Sequence, residues 1–111
     1  MPDYNLSEKE HRLALQAALV IDAVREALDA LTGLALRYAE RGLDQEAANL
    51  LTFVLRHPDV RYDTFDYAED LFLELEARVC PRVIEDARAF ALGKSLKSVA
   101  EYVFALAQED D

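Results

Sequence analysis

Two stretches of this chain place chemically capable side chains at useful spacings. Glu8-Lys9-Glu10-His11 contains Glu-x-x-His, whose acid and imidazole share one helix face and can ligate one metal ion. A di-iron bundle needs two such motifs and two more inward glutamates, and no second Glu-x-x-His occurs, so a symmetric pair of chains would have to supply it. The motif also falls in an expected first helical turn, where the helix dipole favours acids anyway. Glu8 and His11 are therefore read as solvated first-turn charges. A metal-binding helical bundle of enzymatic type stands as the alternative function.

The second stretch is "LRHPDVRYDTF", residues 55–65, where Arg56, His57 and Arg61 form a local basic spot. They could receive an acidic peptide or a phosphate through charge-assisted hydrogen bonds, and with Arg37 and Arg41 they are the expected polar contact surface for a protein partner. The competing account is structural. Arg56 and His57 answer the negative end of one helix, Pro58 stops it, and Asp63 or Thr64 caps the next.

Other reactive groups lack partners. Cys80 lies between Arg78 and Arg82, but neither histidine is near it in sequence, so it is read as a packing residue. Glu69, Asp70, Glu74, Glu76, Glu85 and Asp86 alternate with apolar positions and form wet helix faces. The glycines at 33, 42 and 93 are too far apart to cradle a phosphate. No catalytic, cofactor-binding or metal residue is assigned.

The net charge of −10 argues against direct binding to nucleic acid or an anionic membrane. Residues 1–12 are polar and acidic, unlike a signal peptide, and no apolar run approaches the ~20 residues a membrane span needs. A lone cysteine forms no internal disulfide, which fits a reducing cytoplasm.

These residues need helices to position them, and the pattern predicts an all-α single domain over 1–111, with a tail at 1–6 and an acidic end at 109–111. Ser7 and Glu10 have capping-box spacing. An apolar stripe through Leu13, Ala17, Val20, Val24, Leu28, Leu31, Ala35 and Tyr38 predicts one long helix over residues 8–41, with a break at Thr32-Gly33 as the alternative. Gly42 closes it, and Asp44 caps a helix over 45–56. A third helix runs from Asp63 or Thr64 to about residue 79. Pro81 opens a fourth, closed by Gly93, and Ser95 caps a fifth.

Residues 28–59 resemble a tetratricopeptide repeat. Ala35 and Ala47 stand where such a repeat needs small residues, Leu31, Leu34 and Tyr38 at first-helix packing positions, and Gly42 at the turn. Leu51 is the large apolar residue that follows, and Pro58 closes the unit one residue early, while Val54 replaces an expected alanine. The run 27–106, through "ALRYAERGLDQEAANLL", "LFLELEARVCP" and "ALGKSLKSVAEYV", is similar to the C-terminal end of helical-repeat regions in bacterial signal-transduction ATPases and transcriptional activators. That likeness implies tetratricopeptide-like hairpins and a non-catalytic interaction or scaffold role in a regulatory system.

A self-sufficient solenoid usually takes at least ~3 repeats, so another surface must cover this one. Ala18-Leu19-Val20-Ile21 makes the first helix apolar nearly all round, which five helices of this size can hardly enclose. The expectation is a homodimer built on that helix, with Leu19, Ile21 and Val24 at the contact, and an unidentified protein partner at the basic residues.

Overall fold

The structure, a computed structural model, describes residues 3–110, with side chains through Gln108. The tail's first two residues and the side chains of the acidic end at 109–111 lie outside the described residues. The described chain is all helical: α1 (Glu8–Val20), α2 (Val24–Glu40), α3 (Asp44–Arg56), α4 (Tyr62–Arg78), α5 (Pro81–Ala91) and α6 (Leu96–Asp110). None of these helices is long and apolar enough to cross a membrane.

The single long first helix does not form. The chain reverses at Ile21-Asp22-Ala23, and the alternative break at Thr32-Gly33 is not used either, since both residues lie buried inside α2. Asp22 takes a left-handed φ of 55°, its N–H donates to Leu19 O (3.3 Å), and the Ala23 N–H donates to Ala18 O (2.8 Å). That pair of bonds is a Schellman ending with aspartate where glycine is usual. The same geometry recurs after α2. Gly42 has φ 80°, its N–H donates to Ala39 O (3.1 Å), and the Leu43 N–H donates to Tyr38 O (2.8 Å). One turn used twice therefore folds α1, α2 and α3 into successive antiparallel neighbours.

The reversal also changes which face of α1 is buried. His11, Leu15 and Ala18 face the core, whereas Leu13, Ala17 and Val20 of the expected stripe are exposed. From α2 onward the expected phase holds, with Leu28, Leu31, Leu34, Ala35 and Tyr38 buried. α3 supplies Ala47, Leu50, Leu51 and Val54. α4 packs on α3 and beside α2, α5 lies along α3, and α6 returns against α1. Thus α2 and α3 form a hairpin, while α4 and α5 make little contact with each other despite their short junction.

Several helix ends match their expected chemistry. The Ser7–Glu10 capping box is complete, Pro81 opens α5, and Ser95 Oγ accepts from the Ser98 N–H at 3.1 Å. Others shift by a residue or two. Asp44 is the first residue of α3 rather than its cap, and α4 begins at Tyr62, so Asp63 and Thr64 sit in its first turn. Arg78 makes a tertiary contact, its Nη2 reaching Asp44 (3.0 Å) and Ala39 O (3.2 Å). The Arg82–Asp86 pair forms at 3.8 Å.

Candidate functional site

The five basic residues expected to make one contact surface are dispersed. Arg37 is turned onto the N-terminal segment. Its Nε donates to Leu6 O (2.9 Å), its Nη2 to Tyr4 O (3.4 Å), and its Nη1 to Glu40 (2.6 Å). Arg41 grips both oxygens of Glu8 at 2.6 and 2.7 Å. Arg61 points back across the fold to Glu26 (2.7 Å) and Asp29 (3.1 Å). Three of the five are thus engaged in holding helices together.

Arg56 and His57 remain at the end of α3. The His57 Nδ1 accepts from the Asp59 N–H (3.1 Å), and its ring meets Phe53 edge-on with centroids 5.7 Å apart. Lys94, which the sequence reading did not include, joins them. It lies over the Phe90 ring at 4.9 Å and shares a notch of about 300 Å³ with Phe53, Arg56, His57, Pro58 and Ala91. The C-terminal ends of α3 and α5 converge here, so the positive side chains answer helix carbonyls as well as any ligand.

Glu8 and His11 do not converge on a common point. Glu8 faces Arg41 and Arg12, whereas His11 is buried at 2% exposure, with its Nε2 3.2 Å from Tyr4 O. Because a carbonyl only accepts, Nε2 carries the proton. Burial pushes the His11 pKa down, which keeps the ring neutral. The reading of His11 as a solvated first-turn charge is therefore corrected. Among the described residues no three His, Cys, Asp or Glu side chains gather as metal ligands. Cys80 is also corrected, from packing residue to exposed cap of α5, because Pro81 holds the preceding residue extended outside the helix.

The most connected polar cluster is one that sequence reasoning missed. Tyr4, placed in the tail, is only 7% exposed and stacks on Tyr67 with centroids 4.1 Å apart and planes 4° from parallel. Its hydroxyl donates to Thr64 Oγ1 (3.0 Å), which donates to Asp29 Oδ1 (2.6 Å), while Arg61 Nε holds Asp29 Oδ2. Burial raises the pKa values of Asp29 and Tyr4, against the hydrogen bonds that each makes with Thr64. A threonine so close to a carboxylate has the form of a nucleophile–base pair. Thr64 is fully buried beneath Tyr4, however, and its hydroxyl is engaged by both Tyr4 and Asp29. The cluster ties the N-terminal segment, α2 and α4 together. Thr64→Val keeps the shape but leaves Asp29 short of a donor and Tyr4 short of an acceptor, and should cost about 1–2 kcal/mol in urea unfolding. An unchanged midpoint would show that water replaces the hydroxyl.

The residues expected at a dimer contact lie around the α1–α2 turn. Ile21 is 73% exposed, while Leu19 and Val24 are half-buried. Leu13 and Val20 extend the exposed apolar surface along α1 at 57% and 79%. Beside it runs a groove of about 360 Å³ between α1 and α6, lined by Leu19, Ala100 and Phe104, with Asp22, Lys97 and Glu101 at its edge.

No family model matches the chain, and no curated protein and no solved structure is significantly similar to it.

Proposed function

We propose that this chain is a non-catalytic protein–protein interaction module of tetratricopeptide-like type that pairs with a second copy through α1. It would serve a regulatory or signalling system in the cytoplasm. The observation that carries this reading is the outer face of α1, where Leu13, Val20 and Ile21 stand in water opposite the buried His11, Leu15 and Ala18. A helix apolar on two opposite faces is built to be covered on both. The α2–α3 hairpin supports the repeat-like part of the reading, with Ala35 and Ala47 fully buried and Gly42 at the turn.

Pairing two copies of α1 antiparallel about a twofold axis brings Leu13 of each near Val20 of the other. Lys9, on the same face, then approaches Asp22 of the partner at both ends, a self-complementary arrangement. A stable interface takes roughly 800 Å² from each partner, about an eighth of this chain's 6324 Å² surface. One short helix is too small for that, so the interface should extend onto surface beside α1, such as the Leu19–Phe104 groove.

Light scattering should give about 25 kDa, twice the 12.5 kDa chain mass. Ile21→Glu places a charge in the contact and should weaken pairing by about 2 kcal/mol or more, roughly thirtyfold in the dimer constant. A chain that stays monomeric at millimolar concentration is incompatible with this reading.

A further inference from the structure

We propose that the face formed by α2 and α4 binds an extended peptide with an aromatic anchor, and that residues 4–6 occupy part of this site in cis as a displaceable plug. The proposal deepens the reading of the chain as an interaction module and rests on it. α2 and α4 run side by side in the same direction: Thr64 reaches Asp29 at one end, and Arg78 reaches Ala39 O at the other. Tyr4 fills the groove between them at the Thr64 end. At the Arg78 end the groove is open, with a volume of about 260 Å³, an apolar floor that includes Leu36, Leu71 and Leu75, and Glu40 and Glu74 at its rim. The two stretches adjoin, because Tyr67 precedes Leu71 by one helical turn and Arg37, which holds Tyr4, is paired with Glu40.

Residues 4–6 are held as a foreign chain would be. The segment is not helical, and Asp3 and Asn5 on either side of Tyr4 are exposed. Apart from the Tyr4 phenol, its polar contacts from the helices are to main-chain carbonyls: Arg37 to Tyr4 O and Leu6 O, and His11 to Tyr4 O. Main-chain hydrogen bonds plus one side-chain pocket make a standard peptide-recognition scheme, largely indifferent to the rest of the sequence. The open half gives a competing peptide a place to begin while the plug is still seated. The chemistry it selects is an aromatic ring for the Tyr67 face, a carbonyl for Arg37, and an apolar or basic side chain towards Leu71 and Glu74. The apparent affinity is the intrinsic affinity multiplied by the fraction of molecules in which the plug is out.

The probe is an acetylated, amidated heptapeptide with the sequence of residues 1–7, titrated into the full chain while the amide signals of Thr64 and Tyr67 and the Arg37 Nε–H are followed. The Tyr4→Ala chain should bind it saturably and about tenfold more tightly than the wild type, and Tyr4→Phe, which keeps the ring but loses the Thr64 bond, about threefold more tightly. A peptide with alanine in place of tyrosine should not bind. If Tyr4→Ala fails to fold, Tyr4→Phe carries the test. Peptide binding that is absent from the variants, or equal in variant and wild type, would overturn the proposal by showing that the segment is a fixed part of the fold. Dimer mass reads the α1 contact separately, so loss of peptide binding with an intact dimer overturns this inference alone.

Discussion

Gly33→Ala should destabilise the chain by about 3 kcal/mol, the upper end of what an inserted methyl usually costs in a packed core. A Cβ at this position would stand 2.1 Å from His11 Cε1, 2.4 Å from Nε2 and 2.6 Å from Nδ1. The ring cannot swing aside freely, since it is buried and its Nε2–H is bonded to Tyr4 O. Moving it would also disturb Tyr4, whose phenol is tied to Thr64 and Asp29. The melting point should fall by roughly 10 °C, at about 4 °C per kcal/mol for a domain of this size. The pair can be tested as a cycle. His11→Ala alone leaves a cavity between α1 and α2, but in that background Gly33→Ala should cost about 1 kcal/mol or less, because the added methyl enters the space the ring vacated. Additive losses would mean that the contact with His11 is not what requires glycine.

That glycine shows how much was legible. The sequence marks residue 33 as an anomaly in a strong helical pattern, and a break was a fair reading of a residue that weakens helices. The reason for it lies elsewhere in the chain, in a histidine on the preceding helix, and no local periodicity carries that information. The true break at Asp22 was hidden for a related reason. The Schellman turn usually announces itself by glycine, as it does at Gly42, and aspartate in the left-handed region gives no such signal. Once α1 reverses, its buried face is set by contact with α2, so Leu13, Ala17 and Val20 kept the stripe's spacing but lost their burial. Where helices start from strong local chemistry, at Ser7, Pro81 and Ser95, sequence and structure agree.

The candidate site was less legible than the fold. Arg37, Arg41 and Arg61 stand out as basic in an acidic chain, yet carboxylates far apart in sequence hold Arg41 and Arg61, while Glu40 and the carbonyls of Tyr4 and Leu6 hold Arg37. Glu8 and Arg41 are brought together only by the α1–α2 turn between them. Tyr4 offered one hint, an aromatic residue in a polar tail, but Thr64 and Tyr67 lie some sixty residues away and no spacing links them. The apolar run at residues 18–21 divides, with Ala18 buried and Leu19 half-buried. Val20 and Ile21 are exposed, as the expectation of a self-contact requires.

Raising the pH from 10 to 12 should remove about 2 kcal/mol of stability through Tyr38 alone. Its side chain is 2% exposed in the middle of the core, and burial, with Glu8 nearby, pushes its pKa from 10.0 up to about 12. The folded state therefore holds the phenolic proton more tightly than the unfolded chain does. This contribution is fully present below pH 10, falls as the unfolded chain ionises, and is gone once the folded phenol ionises near pH 12. Tyr4 and Tyr67 shift in the same direction through burial and add to the decline. Tyr38→Phe keeps the ring in place and removes the titration. Urea midpoints at pH 9, 11 and 12 should thus fall less steeply for that variant, while the two chains differ little at pH 9. Parallel decline in wild type and variant would place the alkaline sensitivity elsewhere, and comparison with Tyr4→Phe would then locate it at the plug. Because Tyr38 lies beneath the Glu8–Arg41 contact that anchors α1 on α2, its ionisation should loosen α1 first. The proposed dimer should therefore come apart at a lower pH than the one at which the helical signal is lost.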